Sequence, residues 1–218
     1  MARPGFPRQR AVTLIEAVLF ISVALGLIVG GIVFFQQAST SSRVSTQVRV
    51  LSSLVTEMRL LFKTTGWTPS RTGDPIGETI DDVLVTSGAV PARIIANPPI
   101  DLGGGSTTLL KTEWDTGLQI TEVTLFHMLV PDGEYVFSIR LHDIPVEACA
   151  RLATVDASGK TVFAEGAYTI RFSGNLPGGS AREVNSLPVT PAQAAANCSA
   201  VEGDVPGVDL VFWFDKAI

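Results

Sequence analysis

The sequence predicts an α+β protein in which one long N-terminal helix packs against a β-sheet. An apolar run from Val12 to Phe35 is followed by a segment that has no Gly or Pro before Gly66. The apolar residues of this second segment recur at helical spacing. Alternating, β-branched segments in the C-terminal half indicate a sheet. About 150 residues follow the apolar helix, which is enough for one domain with a buried core.

The apolar run is long enough to cross a membrane. A helix from Val12 to Phe35 measures about 36 Å, against a hydrocarbon core of about 30 Å. Arg3, Arg8 and Arg10 precede the run. Because basic residues keep a flanking segment in the cytoplasm, we expect a cytoplasmic N-terminus and export of the remainder.

Glu16 is the only charged residue between Val12 and Phe35. A carboxylate in a membrane helix costs about 2.5–3.5 kcal/mol and indicates a function and a partner. Since nothing else in the run can neutralise it, we expect the partner to come from another chain. A small residue, Ala11, followed by Val12, Thr13-Leu14-Ile15-Glu16 and a long apolar helix, resembles the type IV prepilin signal.

The resemblance implies how these residues are used. A prepilin peptidase would cut between Ala11 and Val12 and methylate the new amine of Val12. Glu16, then the fifth residue, would pair with the N-terminal amine of a neighbouring subunit. Ala11 stands where the family usually has Gly, and Val12 where it usually has Phe or Met; a first residue other than Phe resembles the type IVb branch.

The same resemblance implies a leader at 1–11, a transmembrane and assembly helix at 12–38 and a globular domain at 39–218. The partners would be other copies in a helical homopolymer, the prepilin peptidase and the inner-membrane assembly platform. The chain would lie in the bacterial inner membrane before assembly and in an extracellular pilus afterwards. No cofactor is implied.

The C-terminal half carries a looser resemblance to the PilS-type pilins of conjugative thin pili. It rests on Val90-Pro91 after a short helix, on a Pro-rich loop and glycine cluster, and on Ile144-Pro145 before a helix bearing Cys149. It implies a pilin fold with an antiparallel sheet and a disulfide-bounded C-terminal region. An even cysteine pair, Cys149 and Cys198, in an exported domain independently predicts a disulfide; the alternative is two buried thiols.

Further elements follow from spacing. Gly26 and Gly30 have the small-xxx-small spacing that lets helices approach closely, although glycine is also common in membrane helices. Apolar residues facing the sheet are predicted at Val44, Val48, Leu51, Val55, Met58 and Phe62, widened by Leu54 and Leu61. A short helix at 76–87 is predicted to have Ile80, Val83 and Leu84 on one side and to stop at Gly88. Strands are predicted at 107–114, 117–129, 135–141, 161–164, 167–172 and 208–214, and helices at 144–152 and 190–198.

Charge and motifs exclude several functions. The net charge is −5 and becomes three units more negative once the leader arginines are removed, so nucleic acid is not the expected primary ligand. The sequence has no G-x-S-x-G, and His127 and His142 form no metal-ligand spacing. The adjacent Asp81 and Asp82 are predicted to be solvated. The sequence therefore indicates neither an enzyme nor a metal site.

Three alternatives to a major pilus subunit stay open. Within the same class, the chain could be a minor pilin or a type II secretion pseudopilin. From a different class, it could be a membrane-anchored periplasmic binding or sensor module. An ordinary secretory signal peptide fits poorly, because its apolar region spans only about 7–15 residues.

Overall fold

The computed structural model describes residues 14–65, 80–103, 105–123, 136–154, 167–174, 181–184, 189–201 and 207–215. The chain forms two units, divided between Ser42 and Arg43. Helix α1, Leu14–Thr65, contributes residues to both units. The predicted long helix is therefore confirmed, whereas Ala11 and Val12 lie outside the described residues.

In the second unit, α1 packs through the predicted apolar face. Leu51, Leu54, Val55 and Met58 are buried in the hydrophobic core. Val50 joins them, and Val44, Val48 and Leu61 pack against the same core while partly exposed. The period of three and four residues thus identified the buried side of the helix. The side chain of Phe62 lies outside the described residues.

The described strands form one seven-stranded sheet, and every paired neighbour is antiparallel. Its order is β1-β2-β3-β4-β7-β5-β6. The strands are β1 Ile95–Gly103, β2 Ser106–Lys111, β3 Gly117–Val123, β4 Val136–Ile144, β5 Ala167–Gly174, β6 Ala181–Val184 and β7 Val208–Asp215. Strand β7, whose sequence is strongly apolar, lies between β4 and β5 in the interior of the described sheet.

Three shorter α-helices and one 3₁₀ helix, Ala92–Ile94, complete the described fold. The α-helices are α2 Asp81–Ser87, α3 Val146–Ala153 and α4 Pro191–Val201. Helix α2 ends at Gly88, whose φ of 73° is left-handed, as predicted. Helix α4 begins with a reciprocal cap, because Thr190 Oγ1 accepts from the Gln193 amide at 3.3 Å and Gln193 Oε1 accepts from the Thr190 amide at 3.0 Å.

The segment after Pro91 differs from the prediction. It was expected to be a Pro-rich loop, but Ile95–Gly103 is strand β1, paired with β2. Pro98 and Pro99 are compatible with a strand because β1 is at the end of the described sheet, where a missing N–H breaks no pairing on the outer side. The peptide bond before Pro98 is cis. Gly103, the last residue of β1, and Gly105, which precedes β2, both have a left-handed φ of +85°.

One prediction for α2 is wrong. Ile80 and Leu84 are buried, and Val83, which was placed on the same side, is 48% exposed. Asp81 was expected to be solvated but is only 3% exposed. The reason is that the helix begins at Asp81, against the sheet, so this carboxyl reaches hydrogen-bond partners on β2 and β3 while Asp82 stays exposed.

The remaining predicted segments are partly described. Strands at 117–129 and 135–141 are present where the structure describes them, as β3 and β4. The predicted strand at 161–164 and His127 lie outside the described residues. Strand β6 was not predicted.

Candidate functional site

The first unit presents an uncovered apolar surface. Glu16 is the only charged residue between Leu14 and Ser42. The large apolar side chains of this segment are exposed in the single chain; Phe20 and Phe34, for example, are each 74% exposed. An apolar surface of this extent is unfavourable in water and requires lipid or protein to cover it.

Helix α1 is long and apolar enough to cross a membrane, by length and composition alone. A signal sequence near an N-terminus would satisfy the same criteria. Glu16 lies near the beginning of the described helix and is exposed. Among the described residues it has neither a hydrogen bond nor an ion pair, so its expected partner has to come from residues or molecules beyond them.

Gly26 and Gly30 lie one helical turn apart, on one side of α1. A Cβ added at either position would meet no atom within 4 Å. The backbone is therefore accessible there to a neighbouring helix, and the predicted packing role stays a prediction.

The disulfide predicted between Cys149 and Cys198 is formed. It joins α3 to α4 with an S–S distance of 2.05 Å and a Cα–Cα distance of 6.2 Å. Both cysteines are fully buried and belong to the same core as Leu152, Ala194 and the strands. The two cysteines are 49 positions apart in the sequence. The bond therefore links α4, the last described helix, covalently to α3.

A charged cluster that the sequence did not indicate lies on β4 and β7. Asp209 is 0% exposed, and its Oδ2 accepts from both Nε and Nη2 of Arg140. Its Oδ1 accepts from the Asp143 amide at 3.2 Å, and Nδ1 of His142 lies 3.5 Å from Oδ2. Burial alone would raise the pKa of Asp209, but His142 and Arg140 hold it below its ordinary value. One signal was present: a single aspartate in the apolar run 208–214 predicts a buried partner.

A second unpredicted contact attaches α1 to the β2–β3 turn. Gln47 is fully buried, and its Oε1 accepts from the Glu113 amide at 2.8 Å. The neighbouring turn residues Thr112 and Thr116 share a hydroxyl–hydroxyl hydrogen bond of 2.7 Å. Gln47 and Glu113 are 66 positions apart in the sequence. Their hydrogen bond holds the β2–β3 turn against α1, where the packed part of that helix begins.

Comparison with known proteins gives one informative description. The sequence matches no known family and no curated protein. Among solved structures it is similar to the crystal structure of a type IVb pilin from Salmonella typhi, with 22% sequence identity and a TM-score of 0.49. The alignment covers 77% of this chain and 97% of that one. A functional assignment therefore depends on the residues described above.

Proposed function

We propose that the chain is a structural subunit of a type IV pilus of the type IVb kind, related to PilS-type pilins. The observation that carries the proposal is the exposed apolar part of α1 with Glu16 as its sole charge. A membrane anchor alone gains nothing from a carboxylate that costs about 2.5–3.5 kcal/mol to insert. A subunit whose helix joins other helices can use that carboxylate to select its neighbour.

The proposed sequence of events begins in the membrane. The helix at 12–38 holds the precursor there, with the leader in the cytoplasm and the domain at 39–218 outside. Prepilin peptidase then cuts between Ala11 and Val12 and methylates the new amine. The assembly platform adds the processed subunit to the fibre.

The physical basis of addition is charge pairing inside an apolar core. A carboxylate and an ammonium attract each other strongly at low dielectric, and removing either one leaves an uncompensated buried charge. The pair between Glu16 and the Val12 amine of a neighbour would thus fix the axial register. Gly26 and Gly30 would allow neighbouring helices to approach closely.

The test compares Glu16→Gln with Glu57→Gln in the producing cell. The two changes are chemically identical and both lie on α1, but Glu57 is an exposed residue of the second unit. We expect Glu16→Gln to insert and to be processed but to yield no filaments, while Glu57→Gln yields filaments normally. A normal filament yield from Glu16→Gln would contradict the pairing, and a wild-type chain that keeps Met1 would favour the membrane-anchored module instead.

A further inference from the structure

The carboxyl of Asp81 is buried between α2 and the β2–β3 hairpin. Its Oδ1 accepts from the Ile120 amide at 3.0 Å, and its Oδ2 lies 2.6 Å from Oγ1 of Thr108. The amide of Ile80 donates to the Ile120 carbonyl at 3.1 Å. Asp81 thus accepts from the N–H of Ile120, and Ile80 donates to its C=O. Ile120 lies beyond the residues of β3 that pair with β2, which end at Leu118.

The hydrogen bonds around Thr108 indicate the protonation state of this carboxyl. A threonine hydroxyl has one proton to donate and two lone pairs that accept. Oγ1 of Thr108 lies 2.6 Å from Asp81 Oδ2, 2.6 Å from the Leu118 carbonyl oxygen and 3.1 Å from the Leu110 amide nitrogen. If Asp81 is ionised, two acceptor oxygens compete for one proton.

A neutral Asp81 resolves the competition. Its Oδ2–H donates to Thr108, whose own proton is then free to donate to the Leu118 carbonyl. The Leu110 amide donates to the second lone pair of Thr108. Each of the three contacts of Thr108 Oγ1 is then a hydrogen bond with its own proton. No two buried oxygens face each other without a proton between them.

The surroundings of the Asp81 carboxyl also favour its neutral form. Burial raises the pKa of Asp81 above its ordinary value, and the negative charge of Asp82 adds to the rise. The hydrogen bonds of Thr108 and Ile120, together with His142, oppose the rise but do not cancel it. The titratable groups that act on the carboxyl are Asp82 on α2 and His142 on β4.

We propose that Asp81 is a proton-binding site, whose carboxyl stays neutral in the folded protein to a higher pH than an ordinary aspartate and whose deprotonation loosens α2 from β3. Ordinary aspartates have a pKa of about 3.9. Because the folded state binds this proton more tightly than the unfolded state, the stabilisation is complete at acid pH and is lost as the pH rises. Ile80 and Leu84, both buried, are the core side chains that a loosened α2 would uncover.

The test follows unfolding of the full-length chain in detergent micelles between pH 4 and pH 8, for the wild type, Asp81→Asn and Asp82→Asn. Asparagine imitates a neutral aspartic acid, because its NH₂ can donate to Thr108 and its oxygen can accept from Ile120. We expect the unfolding constant of the wild type, relative to Asp81→Asn, to rise with pH. The rise is about tenfold per pH unit between the unfolded-state and folded-state pKa values of Asp81. Asp82→Asn, a change at the exposed neighbour, removes only a secondary contribution to the raised pKa of Asp81 and should retain the direction of the wild-type pH dependence.

Two outcomes of that experiment would overturn the proposal. One is a ratio of the unfolding constants of the wild type and Asp81→Asn that does not change with pH. The other is a wild type that gains stability over Asp81→Asn as the pH rises, as an ionised aspartate requires. If Asp81→Asn does not fold, the carboxyl carbon of Asp81 in the isotope-labelled wild type gives the answer by NMR. We expect it to titrate above the ordinary aspartate value of about 3.9, and titration at or below that value would contradict the proposal.

Discussion

Arg140 on β4 donates two hydrogen bonds to one carboxylate oxygen of Asp209 on β7. The pair lies beside a register shift between Leu141 and Ile144, where Asp143 has a φ of +51°. Asp209 also accepts from the amide of Asp143. One buried carboxylate therefore holds together two central strands and the irregular backbone next to them.

The first prediction concerns the pH dependence of this pair. The pKa of Asp209 is lowered on folding, so its contribution is present at neutral pH and is lost as the pH falls through the folded-state pKa. We expect Asp209→Asn to lower the free energy of unfolding by about 1.5–3 kcal/mol at pH 7, the range for hydrogen bonds to charged groups. Since the Arg140 side chain is 41% exposed, it can be solvated when its partner is neutral, and the larger penalty of a stranded buried charge does not apply.

Denaturant unfolding in detergent micelles measures this difference as a function of pH. The loss should shrink below about pH 4, the ordinary aspartate pKa, because the unfolded wild type then begins to bind a proton that the folded state still excludes. A matched control is Asp115→Asn, which removes an ion pair with Lys111 at a side chain that is 79% exposed. Its stability should stay close to that of the wild type. A constant loss over the whole pH range would show that the charge of Asp209 is not what stabilises the strands.

The second prediction concerns the disulfide. In the chain-entropy model, a bond closing a loop of about 50 residues stabilises by roughly 4 kcal/mol. We therefore expect Cys149→Ser to destabilise the domain by about that amount and to reduce the quantity of chain recovered from cells. The double variant Cys149→Ala with Cys198→Ala separates loss of the bond from burial of a new hydroxyl. Unchanged unfolding of both variants would contradict a stabilising role.

The third prediction compares two residues on the same helix. Met58 is 0% exposed and packs in the core, whereas Leu60, two positions later, is 54% exposed. Met58→Ala should cost about 2–5 kcal/mol, because it leaves a cavity between α1 and the sheet. Leu60→Ala should change stability by less than about 0.5 kcal/mol. Equal effects in a denaturant titration would mean that α1 does not pack on the sheet through this face.

The parts of the fold that sequence reasoning recovered depend on local patterns. The period of apolar residues along α1 identified Leu51, Val55 and Met58 as buried, because a helix brings these positions to one side. The helix predicted at 190–198 is α4. Its start could be predicted because the cap joins residues only three positions apart, Thr190 and Gln193. Such features need no knowledge of the tertiary structure.

The parts that it missed depend on distant partners. Asp81 reaches Thr108 and Ile120, which lie 27 and 39 positions further along the chain. Two adjacent acids resemble a solvated helix surface as long as those partners are unknown. Strand β1 was missed for a related reason, since Pro98 and Pro99 exclude a central strand but not an edge strand. Whether a strand is at an edge is decided by the order of the whole sheet.

The chemistry of the N-terminus provides the most direct measurement of the central claim. Surface filaments sheared from the producing cell would be purified and their subunits weighed intact by mass spectrometry. The account predicts a major component whose mass corresponds to residues 12–218 with one methyl group on the amine of Val12. A chain that is absent from the filaments and retains Met1 in the membrane fraction would contradict it.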